Sequence, residues 1–225
     1  MDCGMKKSSK RIICLLILVA LAALLVGCNK EGDLFSQIPE FKQENAIEIK
    51  SDLSIVATLV DSFSEDRYRH DELLKTLHDE AAVFNDENGA DSLVAEKVDM
   101  QDGLVNLVMK FSGREAYVNY YNAAFFEEPA VFFVGTVEDA LNNGLKLEKD
   151  LIDISDTSKK LDNEGLAAMK DAFIIIMNEH GEKGPLTVTT FGKVLYVTDG
   201  IERWYGERSV RVAGFGSELV YVVFR

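Results

Sequence analysis

The chain predicts an α+β fold: antiparallel hairpins packed with a few short helices, followed by a C-terminal meander or roll of short strands. Three patterns carry this expectation. Apolar residues alternate on either side of Gln101-Asp102-Gly103; Leu73, Leu74, Leu77, Ala81 and Phe84 recur at helical spacing; and turn residues divide the last quarter at short, regular intervals.

Taken in order, Ile47, Ile49, Leu53, Ile55, Ala57 and Leu59 alternate around Ser51-Asp52, which predicts a hairpin with one buried face. A helix follows over about 70–84, with Asp71 and Glu72 in the first turn, where acids suit the free amides. Asn85-Asp86-Glu87-Asn88-Gly89 supplies its stop. Val94, Val98 and Met100 then rise to the Gln101-Asp102-Gly103 turn, and Val105, Leu107, Met109 and Phe111 return, so both strands offer an apolar face to the helix.

Ser112 with Glu115 has capping-box spacing and predicts a helix over about 113–124. Thr136 with Asp139 repeats that spacing before a turn of helix at 137–143, which Gly144 ends, and 131–134 reads as a short buried strand between the two. Residues 150–165 give no period, because Asp156-Thr157-Ser158-Lys159-Lys160 is polar throughout. Residues 166–170 are compatible with helix without requiring it, and strand is expected over 172–178, since three consecutive isoleucines suit a buried strand. Five strands close the chain, at about 186–190, 194–197, 201–205, 209–212 and 218–224.

The N-terminus has a different character. Lys6, Lys7, Lys10 and Arg11 precede an uncharged apolar run, 12–26, about 22 Å long as a helix, which is short for a permanent span and has the build of a secretory signal. Lys6-Lys7-Ser8 after Met5 makes Met5 a second start beside Met1. The run ends Leu25-Val26-Gly27-Cys28, which resembles the lipobox of bacterial lipoproteins. That resemblance implies a diacylglyceryl group on the Cys28 thiol, cleavage before Cys28, and a lipid anchor at the outer face of a Gram-positive-type cell membrane. Two acyl chains suffice for anchoring, at about 0.8 kcal/mol per buried methylene.

The expected organisation is therefore a signal over 1–27, a tether over 28–45, and an extracytoplasmic domain over 46–225, with 150–165 as the place where a subdivision would fall. The tether is polar, with Gly32 and Pro39, although Leu34, Phe35, Ile38 and Phe41 could dock on the domain. Signal removal takes four of the 24 basic residues and one of the 38 acidic ones, leaving 20 against 37, a net charge of about −17. Such a surface disfavours nucleic acid and anionic lipid headgroups as partners. Cys3 and Cys14 leave with the signal, so the exported part has no disulfide and must rest on a core.

A wider likeness lies in Val131-Phe132-Phe133-Val134-Gly135-Thr136-Val137-Glu138-Asp139-Ala140 and Gly192-Lys193-Val194-Leu195-Tyr196-Val197-Thr198-Asp199. These segments, with the order of elements around them, resemble a group of uncharacterised lipoproteins of gut clostridia over most of 46–225. No function attaches to that group.

Catalytic spacings are missing from the sequence. His70 and His78 lie about 80° and 12 Å apart on a helix, too far to share one zinc ion. His180 precedes Gly181 in an expected turn. No Gly-x-Ser-x-Gly occurs, and Gly181-Glu182-Lys183-Gly184 is too short and acidic for a phosphate loop. Glu127-Glu128, Asp150, Asp153 and Asp156 could supply paired carboxylates for glycan hydrolysis only if they met in space. Asn85 to Asp91 offers oxygens around a glycine but breaks calcium-loop spacing, so no metal site and no cofactor are expected.

Aromatic residues are the remaining ligand-binding candidates: Tyr117, Tyr120 and Tyr121 on the short helix, and Trp204-Tyr205 beside the Gly206-Glu207 turn. The functional expectation is a lipid-anchored binding or scaffolding domain, not an enzyme, with a protein or glycan ligand and undetermined oligomeric state. The alternatives are a small wall-associated or glycan hydrolase, and a folding or assembly helper for exported proteins that receives a partner at its strand edges.

Overall fold

The computed structural model describes residues 40–62, 69–124, 131–178 and 185–225. All lie in one compact unit, Ile38–Arg225. Among them are thirteen strands in two sheets and four helices.

The first hairpin forms where alternation places it, β1 (Asn45–Ile49) antiparallel to β2 (Ile55–Ser62). Asp52 shapes its turn by accepting from the Ser54 N–H at 3.0 Å and the Ser54 hydroxyl at 2.6 Å. Helix α1 (His70–Asn88) runs one turn past the expected stop. Its end is set at Gly89, whose φ of 101° suits glycine and whose N–H donates to Asn85 O. Asn85 clamps that end to the next strand: its Oδ1 accepts from Leu93 N–H and its Nδ2 donates to Leu93 O, both at 2.8 Å.

The central hairpin joins β3 (Leu93–Gln101) and β4 (Leu104–Phe111) through Asp102 (φ 52°) and Gly103 (φ 78°), the two left-handed residues of a tight turn. A bulge between Ala95 and Lys97 shifts the phase of β3. Leu93, Ala95 and Val98 therefore face the core, and Val94, expected inside, is 40% exposed. Helix α2 (Arg114–Ala124) opens at Arg114, and Tyr117 N–H donates to Gly113 O, so Gly113 and not Ser112 holds the cap position. Ser112 is drawn back to the strand, its N–H bonded to Ser92 O at 3.0 Å.

Strand β5 (Phe132–Thr136) leads into α3 (Val137–Asn142), capped as its spacing predicts: Thr136 Oγ1 accepts from Asp139 N–H at 3.0 Å and donates to Asp139 Oδ2 at 2.7 Å. The aperiodic region is a hairpin, β6 (Leu151–Asp153) with β7 (Asp156–Leu161), followed by α4 (Asn163–Ala167) capped by Asp162. β7 shows no apolar period because it is an edge strand with Thr157 to Lys160 exposed.

After β8 (Phe173–Asn178) come β9 (Leu186–Thr189), β10 (Val194–Val197), β11 (Glu202–Arg203), β12 (Ser209–Val212) and β13 (Leu219–Phe224). These five strands divide between the sheets, giving the roll. One sheet has the order β11-β12-β9-β1-β2-β4-β3, the other β5-β8-β13-β10-β6-β7. The pairing of β1 with β9 is parallel, Asn45 opposite Leu186.

The main core joins both sheets with α1 and α2: Ile47, Ile55, Met109, Phe111, Val188 and Val210 meet Ile175, Val222 and Phe224. Each large side chain buried here contributes roughly 1.5–3 kcal/mol. A second cluster covers the other face of the second sheet, where Val137, Ala140 and Leu166 pack on Ile174, Ile176, Tyr221 and Val223.

Candidate functional site

Alternation along β13 places Val220, Val222 and Phe224 in the main core and Tyr221 and Val223 in the second cluster. Tyr221 is 4% exposed. Its backbone is locked to Thr198: Tyr221 N–H donates to Thr198 Oγ1 at 2.8 Å, and Thr198 N–H donates to Tyr221 O at 3.0 Å. Its hydroxyl bonds to none of the described residues and reaches a pocket of about 490 Å³.

Glu148, Asp150, Asp199 and Glu218 line that pocket with one cation, Lys149, which reaches Glu218 at 3.5 Å. Glu148, Asp150 and Asp199 form no ion pair among the described residues. Phe215 adds an aromatic wall beside Gly200, where φ is 92° and a Cβ would meet Phe215 Cζ at 3.5 Å. Burial, and after it the charge of Glu148, holds the Tyr221 proton above the usual phenol range. The hydroxyl thus stays neutral at physiological pH, able to donate and accept.

A second pocket, of about 510 Å³, lies where the Leu53 turn, the start of α2 and the start of α3 meet. Arg114 stands there with its guanidinium carbon 4.7 Å from the centre of the Phe133 ring. Asp139, on the same wall, is engaged by Thr136.

The aromatic candidates separate. Tyr117, Tyr120 and Tyr121 are 8%, 4% and 5% exposed and belong to the main core. Tyr117 lies 5.3 Å from Phe111 and 4.7 Å from Phe132, ring centre to ring centre, and Tyr120 packs edge-on against Phe84 at 5.6 Å. The Tyr120 hydroxyl donates to Glu80 Oε1 at 2.8 Å. These three are placed in the core and not on an open surface: α2 lies against β4 and β5, which turns its tyrosine face inward. Trp204 and Tyr205 are partly exposed, with ring centres 5.4 Å apart. Arg211 lies 5.1 Å from the Trp204 ring centre and donates to Glu44 at 3.0 Å, and Glu44 also accepts from Thr187 at 2.6 Å. That network fastens the start of β1 to β9 and β12. Trp204 Nε1–H is buried with no acceptor among the described residues.

Other expected positions have local roles. His70 Nε2 bonds to Val98 O at 2.8 Å, while His78 stands exposed on α1. Asp153 accepts from Ser155 N–H and hydroxyl and from Asp156 N–H, and Asp156 accepts from Ser158. These bonds hold both carboxyls below the usual carboxylate range. Asn85 is occupied by Leu93, and among the described residues no group of three or more His, Cys, Asp or Glu could hold a metal ion. Cys28, Glu127-Glu128, His180 and Gly181-Glu182-Lys183-Gly184 lie outside the described residues.

Sequence reasoning considered Asp150 but missed Tyr221, Phe215 and Asp199. The one local signal was a tyrosine inside the valine-rich run Leu219-Val220-Tyr221-Val222-Val223.

Fold and site together define a two-sheet α+β domain with an open acidic pocket walled by aromatic side chains. No protein-family profile matches the chain, nor does any curated protein or solved structure.

Proposed function

We propose that this protein is a lipid-anchored, extracytoplasmic binding domain on the outer face of a Gram-positive-type membrane, working without catalysis. The observation that carries the proposal is Leu25-Val26-Gly27-Cys28 at the end of an uncharged run behind four basic residues. No helix among the described residues is long and apolar enough to cross a membrane; the attachment proposed is the Cys28 lipid. The Tyr221 pocket supports binding as the activity, since ligand sites are concave with a few convergent polar groups.

The hydrolase alternative has less support, because Asp153 and Asp156 are occupied in turns. The assembly-helper alternative also has less: edge strand β7 carries Lys159 and Lys160, and edge strand β3 is bulged, both features that discourage strand addition.

The test is metabolic labelling with an alkyne-tagged fatty acid during expression in a bacterium, followed by membrane fractionation and mass spectrometry of the N-terminal peptide. Wild type takes the label and sediments with membranes, and Cys28→Ser takes none. A free Cys28 thiol on the cell-made protein would overturn the proposal.

A further inference from the structure

The acids of the Tyr221 pocket alone would be a solvated face of an acidic protein. Tyr221 makes them more than that. Its side chain is held in the second cluster, the residue being 4% exposed, while its hydroxyl has no protein partner among the described residues and is left accessible where the residue lines the cavity. Asp52, Asp153 and Asp156 each take the hydroxyl of a serine two residues on. Glu148, Asp150 and Asp199 take no such partner.

The lining therefore combines three unengaged negative charges, a phenol oxygen free to accept, and the aromatic wall of Phe215. Carboxylates attract a cation, and aromatic faces favour one that is weakly hydrated and carries carbon. A divalent metal wants several oxygens converging on one point, and no such cluster exists among the described residues. A volume of about 490 Å³ falls in the range of small-molecule sites.

We infer that the Tyr221 pocket binds a small organic amine, its ammonium groups set among Glu148, Asp150 and Asp199 and its carbon chain laid against Phe215. The Tyr221 oxygen accepts an ammonium N–H, which fixes orientation. Because the carboxylates are solvent-exposed, the interaction weakens with salt. The inference deepens the binding reading, and the acylation assay tests the anchor independently of any ligand.

Calorimetry on the full chain in detergent at low ionic strength, with spermidine as the probe, tests it. Saturable binding is expected. Tyr221→Phe should weaken it several-fold, and the double variant Asp150→Asn/Asp199→Asn by tenfold or more, as befits lost bonds to a charged group. Asp86→Asn/Glu87→Gln, acids of similar number on α1, should leave affinity unchanged. Heat without saturation, or equal weakening by the α1 variant, would reduce the effect to general surface charge and overturn the inference. Equal displacement by millimolar calcium chloride with the same variant dependence would overturn it in favour of a metal. If Tyr221→Phe fails to fold, the wild-type chain decides: spermidine must shift the Tyr221 ring resonances, and an unmoved ring refutes the assignment.

Discussion

Gly192 lies directly against the backbone of Arg225. A Cβ built on Gly192 would come within 2.5 Å of both C and O of Arg225. The contact is held shut from the next residue, since Lys193 N–H donates to Arg225 O at 2.7 Å and Arg225 N–H donates to Lys193 O at 3.0 Å. The Lys193–Arg225 pair thus continues the β10–β13 pairing by one step beyond Val194 and Phe224.

Gly192→Ala is accordingly expected to destabilise the fold by about 1–3 kcal/mol, the usual cost of forcing atoms into a packed contact. Urea denaturation followed by circular dichroism measures it. Deleting Arg225 should reduce the cost of the alanine, and equal costs with and without Arg225 would show that the contact is not the cause.

Tyr117→Ala and Tyr120→Ala should each cost about 3–5 kcal/mol, as for other large aromatics removed from a core. Tyr120→Phe, which removes the hydroxyl and with it the bond to Glu80, should cost about 1 kcal/mol. Unchanged denaturation midpoints in the alanine variants would return these tyrosines to the surface and to ligand binding.

Trp204 is the only tryptophan, so its emission reports the edge formed by β11 and β12. Arg211→Ala removes both the cation over the ring and the bond to Glu44, and should shift that emission. Its stability cost should lie toward the lower end of about 1.5–3 kcal/mol, because both partners keep some exposure. Trp204→Phe should be nearly neutral by circular dichroism, since it deletes an indole N–H that has no acceptor among the described residues.

The Asp153 and Asp156 carboxyls titrate below their unfolded values because serine donors stabilise the ionised form. Their contribution is therefore present above the unfolded carboxylate pKa of about 3.9 and disappears as pH falls through the lower folded values. Titration followed by carboxyl-carbon NMR should place both below 3.9. Asp153→Asn should flatten the stability loss below pH 4, and an unaltered acid profile would remove Asp153 as its source.

Hairpins were legible in the sequence because their pairing is local. Asp102-Gly103 fixes a turn, and the alternation on each side fixes which residues face inward. Thr136 with Asp139 announced α3 for the same reason, the cap being made within four residues. Local reasoning failed at Val94, where the bulge after Ala95 inverts the strand, and at β7, whose edge position removes any need for apolar residues. It also failed for the site. Asp150 was one acid among many until β10, β13 and the segment before β6 came together around Tyr221.

By itself the sequence determined the α+β class, nearly every strand and helix, the core character written in period two and period 3.6, and the lipobox-like Cys28. These depend on neighbours a few residues apart, whose geometry the backbone dictates. Tertiary structure alone decided that β1 lies parallel to β9 across some 140 intervening residues, that the last five strands divide between two sheets, and that the tyrosines of α2 face the core while Tyr221 opens on an acidic pocket. The physical reason is that a residue's exposure and partners follow from which distant surfaces are buried together, and burial is a sum over the whole chain that no local pattern contains.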